Sequence, residues 1–295
     1  MTPLTGHCTG PSTAVGEFQR LTPQLTPPSM FYAAEDSDHI TNEAGAVMAE
    51  LQSLQLQTVV QGHAMADSSV REHLLHGVVR RLRVMQRSIA NVFRLFPLTT
   101  LRPLSTEDLA DVQINVHAFV INLLGIYDNW AWAFVLRHGL EHKIGHRRLI
   151  GLFNQATQKH LPTELRSHLM APETIKWHKR YAKNYRDALA HRIPLYIPPA
   201  TFTTREEGER YSNLETERVG CIEAMQWERL EAVYAEQAAL GIPCFAFLHS
   251  FSEESQPCPL LLHPQMLSDS RAAVAFGTLF LKHWHARTSE VAPSK

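Results

Sequence analysis

The sequence predicts a mainly α-helical protein: a helical bundle with a small C-terminal β-hairpin appendage. Apolar residues recur at 3.6-residue spacing between Ser68 and Phe96. The next segment, up to about His138, is apolar nearly all round, which is typical of a helix in the middle of a bundle. Runs with strand character are confined to two short segments near the C-terminus. Because 44% of the 295 residues are hydrophobic and 19% are charged, we expect a substantial core.

The first half of the chain has clear signals for where helices begin and end. A helix is predicted over about Asn42–His63, where Ala and Leu recur. Asp67 or Ser68 caps the second helix, and Pro97 ends it. Ser105 followed by Asp108 resembles a capping box at the start of the apolar helix.

The second half is predicted to contain shorter helices and a change of period. The predicted helices are His146–Lys159, Thr163–Leu169, Pro172–His191, Glu215–Leu240 and Ser268–His285. The segments CFAFLHS and PLLLH are predicted to form two strands of a hairpin with a long loop. The Pro-rich segment IPLYIPPATFTT is expected to be extended.

These elements suggest four parts of the chain. We expect residues 1–37 to be a disordered Thr/Pro-rich tail and residues 288–295 to be a second tail. Residues 38–200 would form the bundle, and residues 201–287 would add a helix, the hairpin and a final helix that pack on it.

Composition excludes several classes of protein. Lys plus Arg is 28 and Asp plus Glu is 29, so the chain is not a globally basic nucleic-acid binder. No two of the four Cys form a C-x-x-C pair, which disfavours a zinc ribbon and favours a reducing, cytoplasmic compartment. Neither a signal peptide nor a membrane span is expected, since polar residues interrupt the apolar segment at Val116–Val135. There is no GxxxxGK[ST], GxGxxG or GxSxG motif.

The predicted helix Pro172–His191 carries the strongest functional signal. At roughly 100° per residue, its apolar side chains fall within one narrow arc. Five fixed cations and His191 share a different face, opposed there only by Asp187. A solvated face usually mixes charges of both signs, so this pattern favours an anionic partner, although a merely solvated face stays open. The cations are Lys176, Lys179, Arg180, Lys183 and Arg186, and Arg192 follows the helix.

The string RDALAH in this helix resembles the Arg-x(4–6)-His motif of the HEPN superfamily, whose members are helical bundles. The chain contains three Arg-x4-His pairs, at Arg71–His76, Arg137–His142 and Arg186–His191. The third is preferred because it lies on a late helix with one-sided basic character, and the polar Asp187 follows its Arg. The resemblance covers about residues 67–200 and implies a metal-independent ribonuclease that needs no cofactor, as in bacterial defence and toxin–antitoxin systems.

The residue types suit that chemistry. Histidine works as an acid or base near neutral pH, and arginine stabilises negative charge on phosphorus. Arg186 and His191 lie about 140° apart around a helix, so one helix presents half a site. The resemblance implies that two copies meet in a homodimer, while the residue types suggest that the cations hold RNA phosphates and that Asp187 orients His191.

Two further groups and one alternative function complete the predictions. Asp128 and Asn129 lie in the apolar helix, where they either form a structural network or hold Arg186 or its neighbours. The spacing of His138, His142 and His146 is compatible with zinc, but the surrounding cations favour a basic turn and no metal. The alternative is a non-catalytic dimerisation or partner-binding module, and a protein partner such as an antitoxin fits either function.

Overall fold

A computed structural model describes residues 32–248 and 259–284, and it confirms a mainly α-helical fold with a small two-stranded hairpin. Helix α2 runs without a break through α-helical turns at Ser68–Glu72, a π-helical stretch at His73–Val79 and α-helical turns at Arg80–Leu95. Helix α7 is built in the same way from Pro172–Trp177, a π-helical stretch at His178–Ala182, and Lys183–His191. The other helices are α1 (Ala34–His63), α3 (Thr106–Arg137), α4 (Glu141–Ile144), α5 (Gln155–Gln158), α6 (Thr163–Met170), α8 (Arg205–Glu223), α9 (Trp227–Ala238) and α10 (Leu262–Lys282).

Helix α3 lies in the middle of the bundle, as its all-round apolar sequence predicts. It packs against α2 along its length and against the end of α7, while α10 packs against α1 and α3. Trp130 of α3 is fully buried, and its ring lies 5.2 Å from that of Phe276 and 5.9 Å from that of Phe280, both on α10. The final helix is therefore part of the main core.

Local capping explains where α2 and α3 begin. The Asp67 carboxylate accepts hydrogen bonds from the backbone N–H groups of Ser69 and Val70, at 2.8 and 3.1 Å. Ser105 Oγ accepts the N–H of Asp108 at 3.1 Å, as predicted for a cap at this position.

The structure corrects the prediction of one helix over Glu215–Leu240. Helices α8 and α9 form a helical hairpin joined by a turn, where Met225 has a positive φ of 55°. The N–H of Gln226 bonds to the carbonyl of Cys221 at 2.9 Å, which closes the end of α8. Because a glycine usually marks such a turn, methionine at this position gave no signal.

Other boundaries also differ from the prediction. Helix α1 begins at Ala34, so part of the predicted tail is helical, and residues 1–31 lie outside the described residues. Helix α10 begins at Leu262, directly after the second strand. In place of one helix at His146–Lys159 there is a 3₁₀ turn at Arg147–Leu149 and the short α5. The predicted C-terminal tail, 288–295, lies outside the described residues.

The hairpin pairs β1 (Ala246–Leu248) with β2 (Pro259–Leu261) in antiparallel register, and Phe247 lies opposite Leu260. The predicted loop between the strands lies outside the described residues. Phe247 is buried and its ring meets that of Tyr185 on α7 edge to face, at 5.7 Å. The hairpin thus supports the helix that carries the cations.

Helix α3 is the one helix in the described ranges with the length and composition to cross a membrane. Half of its most apolar window is buried inside the protein. The core helix of a water-soluble bundle meets the same criteria, so this is weak evidence for a membrane span.

Candidate functional site

Two anchors hold helix α7 on the bundle. At its N-terminal end, the indole N–H of Trp177 donates to Oδ1 of Asp269 on α10, at 2.8 Å. Further along, Ala182, Tyr185 and Ala188 are buried against the core. These contacts fix which side of α7 faces the bundle and which side faces outward.

The outward side of α7 and its C-terminal cap form a surface that we call the basic surface, made of Lys176, Lys179, Arg180, Lys183 and Arg192. All five side chains are exposed. Within the part of the chain that the structure describes, none of the five forms an ion pair. Their mutual repulsion is therefore not offset by ion pairs with the described carboxylates, and a bound anion would relieve it.

Arg186 is engaged by the residue next to it. Its Nε and Nη2 atoms donate to Oδ1 of Asp187 at 3.2 and 3.0 Å. The Asp187 side chain is only 22% exposed, so this pair is partly shielded from water. The pair orients the guanidinium group while leaving its other N–H donors unused by Asp187.

His191 stands apart from this pair. It is exposed at the C-terminal end of α7, and its ring has no hydrogen-bond partner among the described residues. The Asp187 carboxylate contacts Arg186, so the predicted contact in which Asp187 orients His191 is not made. A single chain thus presents Arg186 and His191 as separate groups.

Asp128 lies on α3 between two arginines. Desolvation raises the pKa of its carboxyl group, and the positive charges of Arg186 on α7 and Arg81 on α2 lower it. Asp128 is therefore close enough to both arginines for their charges to act on it. Of the two polar residues predicted on α3, this is the one that lies near Arg186.

Asn129 belongs to a different network, which joins α3 to α2. Its Oδ1 accepts from Nε of Arg81 at 2.8 Å, and its amide nitrogen lies 3.3 Å from Nδ1 of His73. A second amide, Asn122, accepts from Nη1 of Arg81 at 3.2 Å. The structure thus places Asn129 beside Arg81 and His73 instead of beside Arg186.

This network borders an open cleft of about 460 Å³ between α2 and α3, which we call the α2–α3 cleft. The His73 ring is stacked on Trp132, with centroids 5.7 Å apart and planes 7° apart, and burial lowers the pKa of His73. The polar residues lining the cleft include His73, His76, Arg80, Arg81, Asn122 and Asn129.

The sequence carried a signal for this cleft that the apolar pattern of α2 obscured. The segment Arg80–Leu95 contains five arginines and no Asp or Glu. No ion pair within the described residues involves those arginines. The π-helical stretch that contains His73 and His76 directly precedes Arg80, and such stretches are frequent at functional sites.

The histidines considered for zinc do not converge. His138 ends α3 with its ring 4.6 Å from that of Phe134, His142 lies in α4, and Nδ1 of His146 accepts the N–H of Arg148. Among the described residues there is no group of three or more His, Cys, Asp or Glu with metal-binding geometry. Comparisons of the chain with known protein families, curated proteins and solved structures gave no match.

Proposed function

We propose that the protein binds RNA on the basic surface of α7 and cleaves it without a metal ion, at a composite site of two protomers. The observation that carries the proposal is a set of five exposed cations beside Arg186 and His191, which have no ion-pair or hydrogen-bond partner of their side chains among the described residues, Arg186 excepted. RNA supplies closely spaced phosphates for the cations and a 2′-hydroxyl group as an internal nucleophile.

The reaction follows from the residue types. A histidine base takes the proton of the 2′-hydroxyl, the O2′–P bond forms and the P–O5′ bond breaks. A protonated histidine then gives a proton to the departing O5′. The products are a 2′,3′-cyclic phosphate and a 5′-hydroxyl group. Arg186 stabilises the negative charge that develops on the phosphorane oxygens.

The separation of Arg186 from His191 favours a site shared by two protomers. On one helix the two side chains point about 140° apart. The Asp187 carboxylate holds the guanidinium group and does not contact the His191 ring. A second copy of α7, related by a two-fold axis, would bring the His191 of one chain to the Arg186 of the other.

The test is an RNA cleavage assay with the purified full-length chain in the presence of a chelator. His191→Ala should lower the rate by roughly 10²–10⁴-fold, because a catalytic acid or base contributes on that order. The matched control is His142→Ala, which removes an exposed histidine from another Arg-x4-His pair. A loss of less than tenfold in folded His191→Ala, or loss of activity on chelation, would refute the mechanism.

A second candidate function is a non-catalytic partner-binding module. It is favoured by the turn between α8 and α9, where four apolar side chains are about half exposed or more. They are Val219, Ile222, Met225 and Trp227. If the chain forms stable complexes but leaves RNA intact, this candidate replaces the ribonuclease.

A further inference from the structure

Arg81 in the α2–α3 cleft is fixed in place by hydrogen bonds to neutral side chains. Two of its five N–H donors bond to the neutral amides of Asn122 and Asn129, at 3.2 and 2.8 Å. No carboxylate of the described residues lies within ion-pair distance of it. Its hydrogen bonds therefore go to neutral amides, and the Asp128 carboxyl group, whose pKa Arg81 lowers, acts on it only through space, so the guanidinium group can still receive an anion.

Two glycines let this network lie directly on the helix backbones. A Cβ atom at Gly125 of α3 would come within 2.4 Å of Cζ and Nη1 of Arg81. A Cβ atom at Gly77 of α2 would come within 2.5 Å of Cγ of Asn129. The guanidinium group and its amide partner therefore fit only because both positions lack a side chain, so the arrangement is packed in advance of any ligand.

The same network determines which ring nitrogen of His73 carries the proton. Because the Arg81 guanidinium only donates, Asn129 presents its oxygen to Arg81 and its N–H to Nδ1 of His73. A neutral His73 ring therefore carries its proton on Nε2. Nε2–H has no acceptor among the described residues, so it adds a donor to the cleft.

The remaining charged groups of the cleft leave it positive. Arg80 and Arg81 line it together with His76, and Glu72 is the one acidic residue that does so within the described chain. Arg80 and His76 are exposed, so they are free to turn towards a ligand. The volume of about 460 Å³ is within the usual range for small-molecule sites.

We propose that the α2–α3 cleft binds a phosphate group, with Arg81 and His73 donating to the phosphate oxygens. The phosphate belongs either to a small molecule or to a polynucleotide, since the recognising chemistry is the same. The proposal does not depend on cleavage at α7, because it involves none of the residues assigned there.

The proposal is tested by isothermal titration calorimetry of the full-length chain with inorganic phosphate, 5′-AMP and a 5′-phosphorylated RNA dinucleotide. We expect saturable binding of at least one of these three probes. Arg81→Gln should weaken it roughly 10- to 100-fold, the usual effect of losing a hydrogen bond to a charged group. The matched control is Arg83→Gln, which removes an exposed charge from the same helix outside the cleft and should change the affinity less than threefold.

The relative affinities of the three probes identify the source of the phosphate group or overturn the proposal. Tighter binding of 5′-AMP than of the dinucleotide identifies a free nucleotide as the source, and the reverse order identifies a polynucleotide. No saturable binding, or equal weakening by Arg81→Gln and Arg83→Gln, overturns the proposal. If Arg81→Gln does not fold, Arg80→Gln replaces it, because Arg80 is exposed and lines the same cleft.

Discussion

The basic surface of α7 predicts a specific dependence of RNA affinity on salt. For single-stranded nucleic acid, the slope of log K against log[salt] is about −0.7 for each phosphate that the protein neutralises. If all five cations of the basic surface contact phosphates, the slope is about −3.5. Affinity then falls roughly hundredfold between 50 and 200 mM salt, because the salt concentration rises fourfold.

The perturbation is the double substitution Lys179→Gln and Lys183→Gln. Both side chains are exposed and lack ion pairs with described residues, so their removal should leave the fold intact. Three cations remain, which gives a slope of about −2.1 and a loss of roughly twentyfold over the same salt range. The measurement is fluorescence anisotropy with labelled 2′-O-methyl RNA, which lacks the nucleophile and stays uncleaved.

The matched control removes two paired cations from α8. Arg205 lies 2.7 Å from a carboxylate oxygen of Glu209, and Arg210 lies 3.6 Å from one of Glu236. Arg205→Gln with Arg210→Gln makes the same change in net charge but should leave the slope unchanged. The reasoning is refuted if the wild-type slope is near zero, or if the α8 pair lowers it as much as the α7 pair.

Two further predictions concern stability. Burial raises the pKa of Asp269 to about 7 in the folded protein. The folded protein therefore holds this proton more tightly than the unfolded chain does, and the free energy of unfolding falls as the pH rises towards 7. Asp269→Asn keeps an acceptor for Trp177 and cannot ionise. Its free energy of unfolding relative to that of the wild type should therefore rise by roughly 1.4 kcal/mol per pH unit between about pH 5 and 7 and stay constant above about pH 7. Urea unfolding measures this difference, and a difference that does not change with pH contradicts the prediction. Gly277→Ala should destabilise by about 1–3 kcal/mol, because its Cβ would lie 2.7 Å from the buried ring of Trp130. The control is Gly45→Ala, which has open space around it and should stabilise α1 by up to about 1 kcal/mol. Equal melting temperatures for Gly277→Ala and Gly45→Ala would exclude a clash with Trp130 as the cause.

The sequence predicted those features that depend on neighbouring residues. Asp67 and Ser105 cap their helices because a cap needs only the next few backbone N–H groups. The sequence of α3 predicted its central place in the bundle for the same reason, since a helix that is apolar on all sides is recognised from its own residues. The turn at Met225 escaped prediction because its positive φ occurs at a residue that rarely adopts one.

The α2–α3 cleft escaped prediction because it depends on long-range register. Arg81 lies 41 residues from Asn122 and 48 residues from Asn129 along the chain, and only the packing of α2 on α3 brings them together. The apolar pattern of α2 predicts a core helix, but it does not indicate which of its arginines face α3. Asn129 was singled out as a polar residue in an apolar helix, but its partner required the three-dimensional structure.

Both regions that carry the proposals contain a π-helical stretch, and this coincidence has a physical basis. In α2 the stretch His73–Val79 precedes Arg80 and Arg81, and in α7 the stretch His178–Ala182 precedes Lys183 and Arg186. A π turn inserts one residue, so it rotates the side chains that follow relative to those before it, at a cost in hydrogen-bond geometry. Core packing alone would favour an uninterrupted α-helix. Among the described helices, α2 and α7 each carry several cations without an ion pair, and both accept this cost, which is a reason to expect that the placement of those cations is functional.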